Sequence, residues 1–222
     1  MDTKSEKIIK VKHINSKFHN KDLTFLAKEL DEIQEAHPIG IVPWQDYPYK
    51  PKVHFKIAYT DSEILLKVYV QENFIRAKYD KINDPVYRDS CFEFFISPDN
   101  DDQFYNYEFN CIGTSYLAFG KLRINRQKAS TQVVQSIRSL SSLGNQTFEE
   151  KQGDFEWEMT IAIPLATLFK HNLKDMKGKT CHVNFYKCGD ELTKPHYLAW
   201  NNIETEKPDF HRPEFFGKIV FE

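Results

Sequence analysis

The sequence predicts an all-β fold, a two-layer antiparallel β-sandwich with one added N-terminal helix. Three observations support this fold class. Apolar residues recur at every second position in many short segments, as they do in half-buried strands. The stretches between these segments are mostly too short for the helical crossovers that parallel strands require. Forty-one per cent of the 222 residues are apolar and 14% are aromatic, enough for one sizeable core. We therefore expect a single domain, with 1–43 as a helical extension and 44–222 as the sandwich.

The first predicted element is a helix over residues 22–36. Its apolar residues recur at helical spacing: Leu23, Leu26, Ala27, Leu30 and Ile33. Asn20 or Asp22 is placed to cap its start. The helix should end before His37-Pro38, because a residue that precedes proline avoids the helical conformation. We expect the helix to pack on one sheet or on its open edge.

From Val53 onward the apolar period changes to two. Residues 53–59 and 64–70 alternate on either side of a short polar stretch, which is typical of a hairpin. Further strands are predicted over residues 90–97, 104–112, 115–119, 131–137, 155–163, 180–188, 196–200 and 217–221. Pro164 is placed to begin a short helix. The polar stretch 138–153 is predicted to be an exposed loop.

Composition and charge argue against several classes of partner. The formal net charge is −2, so no global field recruits nucleic acid or an anionic membrane. The basic residues Lys121, Arg123 and Arg126 are interpreted as a solvated strand face. No apolar stretch approaches the roughly 20 residues of a membrane span, and the first residues lack a signal-peptide pattern. The sequence as given therefore predicts a cytoplasmic protein, whereas a trimmed N-terminus leaves an extracellular or periplasmic location open.

The sequence contains no recognisable catalytic motif. It lacks the patterns of serine hydrolases, zinc proteases, phosphate-binding loops and dinucleotide-binding folds. Its eight histidines show no metal-ligand spacing. Cysteines occur at 91, 111, 181 and 188 without a C-x-x-C pair, which argues against a zinc or redox site. A Cys91–Cys111 disulfide would be sterically allowed if their strands paired. We therefore predict no enzymatic activity and no cofactor.

Two predicted strands carry polar residues where a core strand would have apolar ones. Glu93 lies in an otherwise apolar segment, and a buried carboxylate is costly unless it is paired or hydrogen-bonded. Glu93 is therefore either satisfied by an internal arginine or tyrosine, or it binds a ligand. Asn106, Glu108 and Asn110 share one face of the next strand. This polar stripe is either a solvated face or a set of groups suited to sugar hydroxyls.

A third segment, 208–217, precedes the last strand. It combines two prolines, three aromatic residues, a histidine and an arginine. Loops at the end of a sandwich are common binding sites. Its aromatic residues Phe210, Phe215 and Phe216 are equally compatible with structural packing.

In this order, the three segments resemble carbohydrate-binding module family 9 and its relatives in the DOMON-like β-sandwich superfamily. The matching features are aromatic-x-Asp-Ser-x-x-Glu-Phe-Phe-Ile at 87–96, Tyr-x-x-Asn at 107–110, and the aromatic loop that closes on Phe216-Gly217. The resemblance covers residues 40–222. It implies non-catalytic binding of a carbohydrate, with the terminal sugar of a glycan held between two aromatic side chains.

The resemblance also assigns roles to individual residues. Tyr87 corresponds to the first aromatic, Glu93 to the motif carboxylate and Asn110 to the strand asparagine. Glu108 occupies a position where the family pattern has an arginine, which reverses the charge. Phe215, and after it Phe210, is the expected second aromatic. The predicted ligand-binding set is Tyr87, Arg88, Glu93, Glu108, Asn110, Phe210, His211, Arg212 and Phe215.

Within this set, His211 is a polar contact from the loop. The two glutamates would repel each other unless a cation or hydroxyl donors lay between them, and Arg88 and Arg212 are the nearest candidate cations in the sequence. The family also implies structural calcium. Asp99, Asp101 and Asp102 are the candidate ligands in an oxygen-rich turn, which is otherwise a plain solvated turn.

Two other functions remain open at this stage. Glu93 and Glu108 are candidates for the paired carboxylates of a glycosidase. Other DOMON-like domains hold haem, whose iron needs axial His or Met ligands. Met159 and Met176 are the internal methionines, and their sequence contexts indicate a core position and a Lys-rich turn.

Overall fold

The computed structural model describes residues 7–14 and 22–222, and strands account for most of its regular structure. The helices are α1 (Leu23–Asp31) and α2 (Thr131–Gln135). The strands are β1 (Ile8–His13), β2 (His37–Pro38), β3 (Lys52–Tyr59), β4 (Glu63–Ala77), β5 (Cys91–Ser97), β6 (Phe104–Asn110), β7 (Ser115–Gly120), β8 (Gln127–Lys128), β9 (Arg138–Ser141), β10 (Phe148–Pro164), β11 (Thr180–Cys188), β12 (Tyr197–Ala199) and β13 (Gly217–Phe221). Short 3₁₀ turns cover Val86–Arg88, Leu165–Thr167 and Pro213–Phe215.

The strands form two layers that β1 joins. The first sheet contains β5, β6, β7, β8, β11, β12 and β13, and the second sheet contains β2, β3, β4, β9 and β10. Along the hydrogen-bonded path the order is β8-β7-β6-β5-β11-β13-β1-β3-β4-β10-β9, with β12 beside β11 and β2 beside β3. The first four residues of β1 pair with β13 and its last two residues pair with β3, in both cases in parallel. The other pairings are antiparallel. The predicted all-β sandwich is confirmed, but β1 makes it mixed rather than wholly antiparallel.

The main core lies between the two layers. Phe55 on β3 stacks on Phe185 of β11 with 3.9 Å between ring centroids, and Phe94 on β5 lies 5.0 Å from the same ring. On β10, Trp157 and Met159 point into this core, as their alternation predicts. Burial of each large side chain stabilises the fold by about 1.5–3 kcal/mol. The alternation of apolar residues therefore determines which face of each sheet points into the core.

Helix α1 covers the outer side of the second layer. The Asp22 carboxylate accepts a hydrogen bond from the Thr24 amide at 3.1 Å and caps the helix. Leu26 and Leu30 then pack against Ala58, Leu65 and Ala162 of the sheet. The predicted docking on one sheet is present. The helix ends at Asp31 rather than 36, and there Lys67 donates to the Asp31 carboxylate at 2.8 Å.

Two predicted elements differ from the structure. Residues 131–135 form helix α2 rather than a strand, because Ser130 caps it by accepting from the Val133 amide. The predicted exposed loop 138–153 contains β9 and the first part of β10. Strand β9 pairs with residues 159–162 of β10, so this segment extends the second sheet.

The outer face of the first sheet is also covered, and this arrangement positions the site. Every residue of β5 and β6 is buried, although the two strands include the polar residues Glu93, Ser97, Asn106, Glu108 and Asn110. The cover is the segment 200–216 together with Trp44. Phe216 lies 5.3 Å from Phe104, and Phe210 stacks on Tyr186 at 4.0 Å. Beyond these rings the cover is incomplete, and a pocket opens over the polar residues of β5 and β6.

Among the described residues, no helix has the length and apolar character that crossing a membrane requires.

We expect Leu30→Ala to lower the free energy of unfolding by about 2–4 kcal/mol, because it leaves a cavity between α1 and the second sheet. Leu30 is fully buried. Urea unfolding measures this change. Leu122→Ala removes the same atoms from a side chain that is 57% exposed, and it should change stability by less than about 0.5 kcal/mol. Equal effects of the two changes would contradict the docking of α1.

Candidate functional site

A pocket of about 310 Å³ lies on the outer face of the first sheet. Its floor comes from neighbouring strands, where Glu93 on β5 is directly opposite Glu108 on β6. Tyr186 on β11 flanks Glu93, and Tyr116 on β7 flanks Glu108. The complete lining is Asn83, Pro85, Tyr87, Glu93, Asn106, Glu108, Tyr116, Arg123, Arg126, Lys128, Asp190, Tyr197, Pro208, Asp209, Phe210 and His211.

Tyr87 reaches the pocket from the 3₁₀ turn Val86–Arg88, and the buried Asp89 fixes that turn. Asp89 has no exposed surface, and Arg76 donates to its Oδ1 at 3.0 Å. Its Oδ2 accepts from the amides of Lys78 and Tyr79 at 2.9 and 3.1 Å. A buried carboxylate is stable only when paired and hydrogen-bonded in this way. The Asp-Ser part of the motif therefore positions the aromatic residue before it.

Asn110 belongs to the Asp89 network and does not line the pocket. It is fully buried, and its Nδ2 donates to Asp89 Oδ2 at 3.0 Å and to the Tyr79 carbonyl at 2.7 Å. Its Oδ1 accepts from the Thr114 amide at 3.0 Å. Every polar atom of the side chain is occupied, so its place in the fold is structural.

Three further residues of the predicted set also lie off the pocket lining. Arg88 forms an ion pair with Glu191 at 3.2 Å, and Arg212 pairs with Glu214 in its own loop. Both arginines are engaged by other carboxylates, so neither Arg88 nor Arg212 is a cation held between Glu93 and Glu108. Phe215 packs on the rim of the cluster under the covering loop.

Phe210 and His211, which belong to the predicted set, line the pocket. Phe210 has one face stacked on Tyr186. His211 lies 5.1 Å from the ring of Phe95, and burial lowers its pKa although Asp209 lies beside it. The covering loop therefore reaches the polar floor of β5 and β6.

Arg126 is held in place inside the pocket, which corrects its interpretation as part of a solvated strand face. Its Nε donates to Asn106 Oδ1 at 2.9 Å, and Asn106 Nδ2 in turn donates to Glu108 Oε1 at 2.7 Å. The guanidinium also lies 4.2 Å from the centre of the Phe104 ring. Burial lowers the pKa of Arg126 to about 10, so it stays charged at neutral pH. Arg126 is thus connected to Glu108 through the amide side chain of Asn106.

The two floor glutamates are buried without a cationic partner within ion-pair distance among the described residues. Glu93 accepts from the Cys188 thiol at 3.1 Å, and Glu108 Oε2 is buried without a hydrogen-bond partner. Burial, and then repulsion by Glu108, raises the pKa of Glu93 well above its usual value. Burial also raises the pKa of Glu108 to about 7 and that of Asp190 to about 6. Burial therefore favours the neutral, protonated form of each of these carboxyl groups.

Several lining residues were not predicted as a site. Asn83, Tyr116, Asp190 and Tyr197 come from separate loops and strands, and no local pattern joins them. Asn106 was visible in the polar stripe of β6, and Arg126 in a basic cluster. Only the tertiary fold brings these groups to one cavity.

The acidic turn proposed for calcium does not form one oxygen cage. Asp99 contacts His171 at 2.9 Å, Asp101 accepts from the Gln103 amide at 2.9 Å, and Asp102 pairs with Lys121. Calcium needs six to eight convergent oxygens, and these three carboxylates do not fit that requirement as they stand. Calcium binding at this turn stays a prediction.

The four cysteines are free and buried. The Cys91–Cys111 disulfide considered from the sequence is not formed. Cys91 opposes Asn110 and lies in the outer cluster, whereas Cys111 belongs to the inner core. The cysteine directly opposite Cys91 is Cys188 on β11.

We expect Glu108→Gln to weaken the pH dependence of stability. The folded-state pKa of about 7 lies above the ordinary 4.5, so folding favours the protonated form. The stability from Glu108 is complete below about pH 4.5 and is lost as the pH rises through about 7. Between about pH 5 and pH 8, the free energy of unfolding should fall by about 1–3 kcal/mol more in the wild-type protein than in the variant. Urea unfolding across this range measures the difference.

The control is Glu156→Gln, on an exposed position of β10. It should follow the wild-type curve. If the free energy of unfolding varies with pH in the same way for wild-type protein and Glu108→Gln, burial does not destabilise the charged carboxylate of Glu108.

The model of carbohydrate-binding family 9 matches residues 25–221, from within α1 to the last strand. The structure is similar to that of a candidate carbohydrate-binding protein from Bacteroides uniformis ATCC 8492, with 41% identity, 98% of this chain and 100% of that chain covered, and a TM-score of 0.93. It shares its fold with a family 9 module from Caldicellulosiruptor kristjanssonii in complex with glucose, at 12% identity, 97% and 96% coverage and a TM-score of 0.62. The same module in complex with cellotriose gives 12% identity, 97% and 94% coverage and 0.60. No curated protein matches the chain.

The family match extends over nearly the whole described fold, and it includes the strands that form the pocket floor. The chain therefore belongs to carbohydrate-binding family 9, and its function is carbohydrate binding.

Proposed function

We propose that the pocket over β5 and β6 binds the terminal sugar of a glycan without transforming it. The observation that carries this proposal is the composition of one cavity. Buried carboxyl and amide groups form its floor, and aromatic side chains form its walls. A sugar ring presents hydroxyls around its edge and C–H groups on its faces, so it needs both kinds of surface.

The floor supplies fixed polar groups. Glu93, Asn106 and Glu108 are held by the strands and by their hydrogen bonds, so they lose little side-chain entropy when a ligand binds. Glu108 Oε2 has no partner in the described structure. A hydroxyl that donates to this oxygen would satisfy a buried acceptor, and a satisfied acceptor avoids about 1–3 kcal/mol of desolvation cost.

The walls supply aromatic surface. Three half-buried tyrosines line the cavity: Tyr87, Tyr116 and Tyr197. Phe210, from the covering loop, is a fourth aromatic residue in the lining. Stacking of a ring face in such a slot contributes on the order of 1 kcal/mol beyond the area it buries. Phe210, rather than Phe215, is the aromatic from the covering loop that we assign to the site.

The size of the pocket favours one sugar ring over an extended chain. Its volume of about 310 Å³ lies at the lower end of the range of roughly 300–1,000 Å³ for small-molecule sites. The covering loop closes one side of it at Asp209–His211. A chain end fits this shape better than the middle of a polymer.

The arrangement of the glutamates favours binding over catalysis. A glycosidase places its two carboxyl groups on either side of the scissile bond. Here Glu93 and Glu108 lie side by side on one floor, on directly paired positions of neighbouring strands. A sugar above them would contact both from the same side.

The haem alternative has no support in this pocket. Met159 and Met176 both lie fully buried in the core between the sheets and do not line the cavity. His211 is the one histidine in the lining, and its partner is Asp209.

We expect Tyr87→Ala and Glu93→Gln each to weaken sugar binding by about tenfold or more, since each removes a contact worth about 1.4 kcal/mol. The ligand comes from a glycan array, and calorimetry on the best hit and its free monosaccharide gives the affinities. Thermal melts should show that both variants are folded.

Phe215→Ala is the matched control for this experiment. It removes an aromatic ring from the same covering loop, but that ring does not line the pocket. Its affinity should stay within about twofold of wild type. A loss in Phe215→Ala as large as that in Tyr87→Ala would place the site elsewhere on the loop.

We expect affinity to change little with chain length. If one terminal ring fills the pocket, a trisaccharide should bind within about threefold of its terminal monosaccharide, which is under 1 kcal/mol. Glucose and cellotriose are a suitable first pair in the calorimeter. Affinity that rises by an order of magnitude with each added sugar would indicate a groove that accepts internal residues.

A further inference from the structure

Two thiols lie together directly beneath the sugar pocket. Cys91 on β5 and Cys188 on β11 are paired positions of neighbouring antiparallel strands. Their side chains point to the outer face of the sheet, the face that carries Glu93 two residues along β5. The pair is buried, with 0% and 1% of the residue surface exposed.

Glu93 completes a convergent group of three. Its Oε1 lies 3.1 Å from Cys188 Sγ. One ligand atom from each of Cys91, Glu93 and Cys188 lies within 4.8 Å of the other two. In the described part of the chain, no other group of three or more His, Cys, Asp or Glu side chains converges in this way. The Tyr87 carbonyl adds a further oxygen, 3.5 Å from Cys188 Sγ.

We propose that Cys91, Cys188 and Glu93 form a binding site for one zinc-like divalent cation. Thiolate sulfur and carboxylate oxygen are ordinary zinc ligands, at about 2.3 Å and 2.0–2.2 Å from the metal. Ligand atoms that already lie within 4.8 Å of one another need only a small contraction to reach those distances. Calcium and magnesium are excluded as occupants because they take oxygen ligands.

The charges of the site also suit a cation. Glu93 has no ion-pair partner within 4 Å among the described residues, and Glu108 stands opposite it. Zinc binds cysteine as the thiolate and glutamate as the carboxylate, so binding would release both thiol protons and any proton held by Glu93, and the three anionic ligands would offset the charge of the metal. Affinity should therefore rise with pH.

Glu93 also provides the route to the site. It lines the sugar pocket, whereas the two cysteines do not. A cation would enter through the pocket, pass the Glu93 carboxylate and reach the sulfurs below it. Its fourth position is then open to the Tyr87 carbonyl or to water, as in three-ligand zinc sites.

Cobalt(II) titration of the full chain tests this proposal. With a non-chelating phosphine reductant, wild-type protein should develop a thiolate-to-cobalt charge-transfer band that saturates at one equivalent and disappears when Zn²⁺ is added. Cys91→Ser and Cys188→Ser should each lower the affinity at least tenfold. Glu93→Gln should weaken binding about tenfold. Cys111→Ser and Cys181→Ser, which alter the other two buried cysteines, should leave the titration unchanged.

X-ray absorption of the zinc-loaded wild-type protein gives a readout that needs no variant, and it should show two sulfur neighbours at about 2.3 Å. Absence of the charge-transfer band, a band that persists when both Cys91 and Cys188 are replaced, or a zinc shell without sulfur would each overturn the proposal. The test requires no sugar, so its outcome is independent of the proposed glycan specificity.

Discussion

The central strands β5 and β6 are buried on both faces, and this constraint shapes the site. A strand of that kind normally carries apolar residues on both sides, yet here one side carries Glu93, Asn106, Glu108 and Asn110. A buried polar group without a partner costs several kcal/mol. Each of these side chains must therefore find a hydrogen bond inside the protein or reach the pocket that opens beside the covering loop.

The distribution of partners separates structural from functional groups. Asn110 is completely engaged with Asp89, Tyr79 and Thr114, and it supports the fold. Asn106 is held between Arg126 and Glu108. Glu108 Oε2 has no hydrogen-bond partner, and Glu108 is one of the residues that line the cavity. The pocket thus lies where internal hydrogen bonding is incomplete, which is also where a polar ligand gains most.

Asp89 links this floor to the wall of the pocket. Through Arg76 and the amides of Lys78 and Tyr79 it ties down the end of β4, and through Asn110 it ties down the end of β6. The turn that carries Tyr87 lies between these anchors. A single buried carboxylate therefore sets the distance between an aromatic wall and a polar floor that come from different strands.

The local sequence pattern predicted most strands well, because apolar and polar residues alternate within a half-buried strand. Strands β3 and β10 show this alternation. The local pattern did not reveal β1, whose partners β13 and β3 come from distant parts of the chain. It also assigned residues 131–137 to a strand, because their valines favour strands, whereas the Ser130 cap favours the helix. For the site, Glu93 and Glu108 were proposed because they interrupt strand patterns, and Tyr87, Phe210 and His211 were proposed because their segments resemble the family. Arg126, Asp190 and Tyr197 were missed because only long-range packing brings them to the same cavity.

Strand β1 also determines how the fold responds to force. It runs parallel to β13, so the start of one strand and the end of the other lie at opposite ends of the ladder. The Lys218 amide donates to the Lys7 carbonyl at one end, and the Glu222 amide donates to the Val11 carbonyl at the other. Parallel ladders have evenly spaced bonds. Tension applied between residues 7 and 222 would therefore shear all of these bonds together, instead of opening them one at a time.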